Sequence, residues 1–226
     1  MQLTWTTLLA QYGQQHNGLF FGGNDDRFDG QLILNRGEKS PLLVLLRQVG
    51  SGRYVTNQLT ARTSVRLSGD YTLDIRPKGL TGSGYQTIMA LAGQSRDYGC
   101  PEATKGRIIT ASDRPFTKQI LSYPELRQAL ARQTGEQLRV CPDAQGEGWH
   151  LIEVNHSNFD QSLGMESSPW PTQAVREEYL FMEPGECESP FRAAQKQFDE
   201  AMDNFLDLLT AAGDALAVWS GSIKRT

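Results

Sequence analysis

Residues 54–76 read YVTNQLTARTSVRLSGDYTLDIR, and the alternation in this stretch decides the fold class. Val55, Leu59, Ala61, Thr63, Val65 and Leu67 share one register, while Gln58, Thr60, Arg62, Ser64 and Arg66 occupy the positions between them. A period of two held this long is the pattern of a strand with one wet face. Ser68-Gly69-Asp70 supplies turn chemistry,. Tyr71, Leu73 and Ile75 then resume the alternation against Thr72, Asp74 and Arg76. The spacing predicts a long antiparallel hairpin at the centre of a twisted sheet.

Upstream, Trp5, Leu8, Leu9 and Tyr12 recur at helical spacing, and Gly13 stands where a glycine commonly ends a helix,. Leu19–Phe21, QLILN and LLVLLRQV (42–49) have strand length and composition,. Downstream, GRIITAS (106–112) reads as a strand. Asp113 is placed to cap a short helix through Leu121, and Pro124 opens the next one,. LRV (138–140) and WHLIEVNH (149–156) flank PDAQGEG as a second hairpin, and 157–173 reads as an irregular connection. Ser189-Pro190 starts a helix whose stripe holds Phe191, Phe198, Met202, Phe205, Leu209, Leu216 and Trp219,. Over 190–219 that helix would be about 45 Å long. The expectation is one α+β domain over 1–226: an antiparallel sheet of six to eight strands, covered on one face by helices including the long C-terminal one.

The chain has 226 residues and a formal net charge of −4, which argues against a general nucleic-acid or membrane-surface binder,. The charge is uneven. Residues 1–114 carry 13 Lys+Arg against 9 Asp+Glu, and residues 115–226 carry 9 against 17. The N-terminal stretch has no basic region followed by an apolar run, and no segment approaches the ~20 apolar residues of a membrane span,. Three widely spaced cysteines, Cys100, Cys141 and Cys187, do not form a disulfide framework and read as free thiols in a reducing cytoplasm,.

Each near-match to a chemical motif fails for a definite reason. KGLTGSG (78–84) has the glycine spacing of a phosphate loop, but Tyr85 stands where the lysine belongs,. GGNDDRFDG (22–30) clusters oxygen ligands, yet Phe28 takes a position where a calcium loop needs a donor,. His150 and His156 would sit about 20 Å apart on one strand, too far to share an ion. Neither Cys-Pro pair has a catalytic context, and neighbouring carboxylates such as Asp199-Glu200 point apart,. No cofactor or metal is expected. Whether His16, His150, His156 or the cysteines meet after folding is a question for the structure.

Two surfaces remain. Arg62, Arg66 and Arg76 would share one sheet face if 54–76 is a tight hairpin, and could take a small anionic ligand by bidentate hydrogen bonds. Phe198, Phe205 and Trp219 on the long helix exceed what a small core needs and would support a homodimer. The leading expectation is a non-catalytic interaction or assembly protein. A binding module for an anionic or amphipathic small molecule is the alternative, and an enzyme of unrecognised type is third.

Overall fold

The computed structural model describes residues 5–22, 30–51, 54–78, 98–133, 135–144, 146–157 and 188–219. The motifs at 23–29 and 79–84, the 158–173 connection and Cys187 lie outside them. The architecture is α+β: eight strands form one antiparallel sheet in the order β1-β2-β3-β4-β8-β7-β5-β6. The strands are β1 (Leu19–Gly22), β2 (Gly30–Arg36), β3 (Lys39–Ser51), β4 (Tyr54–Arg66), β5 (Leu73–Pro77), β6 (Arg107–Ala111), β7 (Gln137–Pro142) and β8 (Trp149–His156). The described helices are α1 (Trp5–Gln15), a single turn α2 (Pro101–Thr104), α3 (Arg114–Leu121), α4 (Pro124–Arg132) and the 32-residue α5 (Glu188–Trp219). None of them is long and apolar enough to cross a membrane.

The chain forms two compact units, Met1–Ala61 with His156–Asp203 and Arg62–Asn155 with Asn204–Thr226. In the first, α1 buries the expected stripe of Trp5, Leu8, Leu9 and Tyr12. Trp5 and Tyr12 meet Phe198 of α5 at ring-centroid distances of 6.2 and 6.4 Å. Tyr12 also donates to the Asp203 carboxylate at 2.8 Å, and the Gln195 amide donates to the Leu8 carbonyl at 3.2 Å. Gly13 does not end α1, as expected, but lies inside it. A Cβ there would stand 2.6 Å from Leu32 Cδ1, so the glycine lets the helix settle onto β2. Two residues past the end of the helix, Asn17 turns the chain away with a left-handed φ of 52°,.

In the second unit, Leu73 and Ile75 of β5, Leu138 and Val140 of β7 and Ile152 and Val154 of β8 are buried. Gly213 of α5 lies against Ile152 and Thr63, which places the helix on that face. The Asp113 carboxylate caps α3 by accepting the Phe116 N–H at 2.8 Å, and Pro124 occupies the first turn of α4,.

The expected 54–76 hairpin is corrected by the strand order, because β8 and β7 stand between β4 and β5. The reason lies in the connecting backbone. Instead of bonding across a turn, the Leu67 N–H reaches the Gly148 carbonyl at 2.9 Å and the Tyr71 N–H reaches His150 Nε2 at 3.1 Å. Both partners belong to the β7–β8 region, so the connection is tied there and β5 enters beyond β7. Tyr71 anchors the crossing from inside: it is fully buried, packs edge-on to Phe116 at 4.7 Å and shares a 2.8 Å hydrogen bond with Thr117 Oγ1.

Candidate functional site

The strand order disperses the three arginines. Arg62 and Arg66 are on β4, while Arg76 is on β5, three strand spacings or about 14 Å away across the sheet,. Arg62 is committed within the fold: its Nε and Nη2 both contact Glu153 Oε2 at 2.7 Å. A row of alternating charge crosses this face, since Glu153 lies opposite Arg139 and Arg139 opposite Asp74. Asp74 is engaged by the Gln137 amide at 2.8 Å. Arg66 is exposed, and the Arg76 Nε is buried without a hydrogen-bond partner. The three do not converge on one ligand.

The described aromatic side chains of α5 are core. Phe198 is 0% and Phe205 1% exposed, so neither presents a surface to a second chain, and the expectation that they mediate self-association is withdrawn. The side chain of Trp219 lies outside the described residues. The sequence made the stripe look surplus because nothing local shows that α1 supplies Trp5 and Tyr12 to enclose Phe198.

Two other surfaces stand out. The first is the β1 edge, which among the described strands pairs with β2 alone. Leu19 and Phe21 are 58% and 54% exposed, among the most exposed large apolar side chains described. Phe20 turns the other way, with its ring over Gly22 and Gly30. Leu19 lies opposite Ile33 and Ile33 opposite Leu43, so an apolar row runs inward from the edge over three strands. Phe21 begins a second row through Gln31 to Leu45. No charged residue interrupts β1, a gap in the usual protection of edge strands,.

The second is a cleft of about 410 Å³ where the β7–β8 connection meets the 67–72 crossing. Asp70, Asp143, Glu147, Trp149 and His150 line it, with Gly146 and Gly148 in its wall. Backbone hydrogen bonds close the connection: the Asp143 N–H donates to the Trp149 carbonyl at 2.8 Å and the Trp149 N–H to the Gly146 carbonyl at 3.1 Å. A Cβ on Gly146 would stand 2.7 Å from Trp149 Cδ1, so the glycine lets the indole lie along the loop. His150 is 1% exposed; because its Nε2 accepts the Tyr71 N–H, its proton in the neutral form is on Nδ1,. Burial pulls its pKa below the usual imidazole value, against the opposing pull of the Gly148 carbonyl and Asp70.

No protein-family model, curated protein or solved structure matches this chain. The geometry must therefore carry the functional reading. Among the described residues, no group of three or more His, Cys, Asp or Glu side chains is arranged to hold a metal ion. Cys100 is buried, with its thiol donating to the Leu121 carbonyl at 3.0 Å, and Cys141 is half-buried. Arg107, which sequence reasoning did not single out, is buried. Its guanidinium donates to the carbonyls of Leu130 at 3.0 Å and Glu136 at 3.4 Å, closing the end of α4. Burial lowers its pKa while the Glu136 carboxylate opposes that shift. Its role is structural.

Proposed function

We propose that this protein is a non-catalytic interaction protein that self-associates through the open β1 edge. The observation that carries this reading is the exposure of Leu19 and Phe21 on a strand that, among the described residues, is paired on one side only, continuous with the apolar row through Ile33 and Leu43. Exposed apolar area of this kind marks association sites, and strand addition satisfies the free backbone groups of the edge at the same time. A second copy is the favoured occupant because β1 carries no charge. Antiparallel pairing about a two-fold axis therefore sets no like charges against each other, and the contact closes as a dimer,.

The strand is short, so the dimer is a weak one, with a dissociation constant on the order of 100 µM. The free thiols favour a reducing, cytoplasmic setting,. Neither nucleic acid nor membrane forms part of the proposal. The anionic-ligand alternative loses its shared site, because Arg62 is neutralised by Glu153 and Arg76 stands three strands from β4.

Size-exclusion chromatography with light scattering, run from low to high micromolar concentration, tests the proposal. The mass should rise toward the dimer with concentration, and Phe21→Lys should hold it at the monomer. A monomer throughout for the unaltered chain overturns the reading.

A further inference from the structure

We infer that the seam between α1 and the first half of α5 is a proton-operated clasp: the Asp199–Asp203 pair takes up a proton in mild acid, and α1 is then held more firmly against α5. The inference is independent of the β1 edge, and every group in it belongs to the first compact unit. Asp199 and Asp203 stand four residues apart on α5, so their side chains are neighbours on one helix face, with Cβ atoms about 5–6 Å apart,. That face is turned toward α1. The Tyr12 hydroxyl donates to Asp203 Oδ1 at 2.8 Å, and His16, stacked on the Tyr12 ring at 4.1 Å, brings its Nε2 to 4.0 Å from the same oxygen. Gln195, one turn before Asp199 and only 4% exposed, spans the seam. Its amide nitrogen donates to the Leu8 carbonyl of α1 at 3.2 Å and to Asp199 Oδ1 at 2.6 Å. Its Oε1 finds no partner among the described residues, so the two acceptors alone fix the amide.

The ionised pair is short of positive charge. α1 contains no Lys or Arg, β1 has no titratable group, and β2 has one, Arg36, at its last residue. On α5 itself, Lys196 is engaged by Glu200 at 3.9 Å, and Arg192 lies two turns from Asp199. Two carboxylates one turn apart therefore repel each other at a helix contact that supplies mainly hydroxyl and amide donors. Asp199 is half-buried, and burial raises its pKa; Gln195 opposes that shift, the Asp203 charge adds to it, and His16 and Gln15 oppose it. A folded value above the unfolded 3.8 means that the folded chain holds the extra proton. The resulting stabilisation is fully present below 3.8 and is lost as pH rises through the folded value,. Protonation of His16 acts in the same direction, because an imidazolium there faces both carboxylates,.

Asp199→Asn in the full chain tests the inference, since the amide has the shape of the protonated carboxyl and still offers Gln195 an acceptor. At pH 7.5 the variant should melt about 1–2 °C above the unaltered chain, through the removal of one like-charge contact. The difference should close by pH 4, where the unaltered chain carries the proton itself. In the unaltered chain, the side-chain carboxyl carbon resonance of Asp199 should titrate with a midpoint above 3.8, and Asp203→Asn should lower that midpoint,. Corrected for the intrinsic rate, the amides of α1 should exchange about twofold more slowly at pH 5 than at pH 7.5, and this gain should be smaller in Asp199→Asn. The inference is overturned if the Asp199 midpoint falls at or below 3.8. It is equally overturned if Asp199→Asn melts no higher than the unaltered chain at pH 7.5, or if the melting difference does not change with pH.

Discussion

Replacing Phe198 with alanine separates a core role for the long helix from an assembly role. The side chain is 0% exposed and is enclosed by Trp5 and Tyr12, themselves 0% and 2% exposed, with Leu8 and Leu9 on the same stripe of α1. Two large rings at 6.2 and 6.4 Å cannot easily collapse into the space a phenyl group leaves. A truncation of this kind costs about 3–5 kcal/mol, the lost transfer energy plus the cavity left behind. For a chain of this size each kcal/mol lowers the melting temperature by about 2–4 °C, so the fall should lie between about 6 and 20 °C. Phe21→Ala is the internal control, because Phe21 is already 54% exposed and its truncation should cost less than about 1 kcal/mol,. Urea titration followed by circular dichroism gives both values, and light scattering on the same samples gives the mass. A loss below about 1 kcal/mol for Phe198→Ala, accompanied by a change in oligomeric state, would refute the core assignment.

Three other outcomes follow from buried polar groups. Tyr71→Phe removes the hydroxyl shared with Thr117 inside the fold and should cost about 1–2 kcal/mol by chemical denaturation,. Arg107→Ala should be more severe, about 3–5 kcal/mol, because it frees two buried carbonyls and leaves the enclosed Glu136 without its cation; replacing Arg127, which is exposed, should change little,. For His150, the folded pKa lies below the unfolded value of 6.5, so between the two the unfolded chain binds more protons,. Its contribution is present above pH 6.5 and is lost as pH falls through the folded value. The difference in stability between the unaltered chain and His150→Gln, measured from pH 8 down to pH 5, should therefore shrink with acidity; that difference isolates His150 from Asp199, whose raised pKa acts in the opposite sense.

What could be read from the sequence, and what could not, divides along physical lines. Local rules located the elements: the period of two marked β4 and β5, Asp113 and Pro124 marked their helix starts, and the apolar stripe marked α5. Alternation fixes which face a side chain takes, however, and says nothing about which strand lies beside it. The partnership of β4 with β8 depends on contacts such as Arg62–Glu153, 91 residues apart, and those leave no local trace. The arginine grouping failed for that reason. The cleft was hidden similarly, because it needs Asp70 from the crossing segment and His150 from β8, joined through a bond that spans 79 residues. Its one legible hint was Trp149, a large aromatic side chain directly after a glycine-rich loop.

The insertion of β7 and β8 between β4 and β5 also bears on how far apart in sequence the pairing strands lie. A 54–76 hairpin would close early, as a local event on the microsecond scale. Instead, among these four strands β7 and β8 are the neighbours joined by a short loop, and β4 and β5 flank them on opposite sides. Both flanking pairings close large chain loops before any contact rewards them, which places the protein toward the slow end of folding rates. The 67–72 crossing carries the chain past both strands, tied to the β7–β8 side by the Leu67–Gly148 and Tyr71–His150 hydrogen bonds.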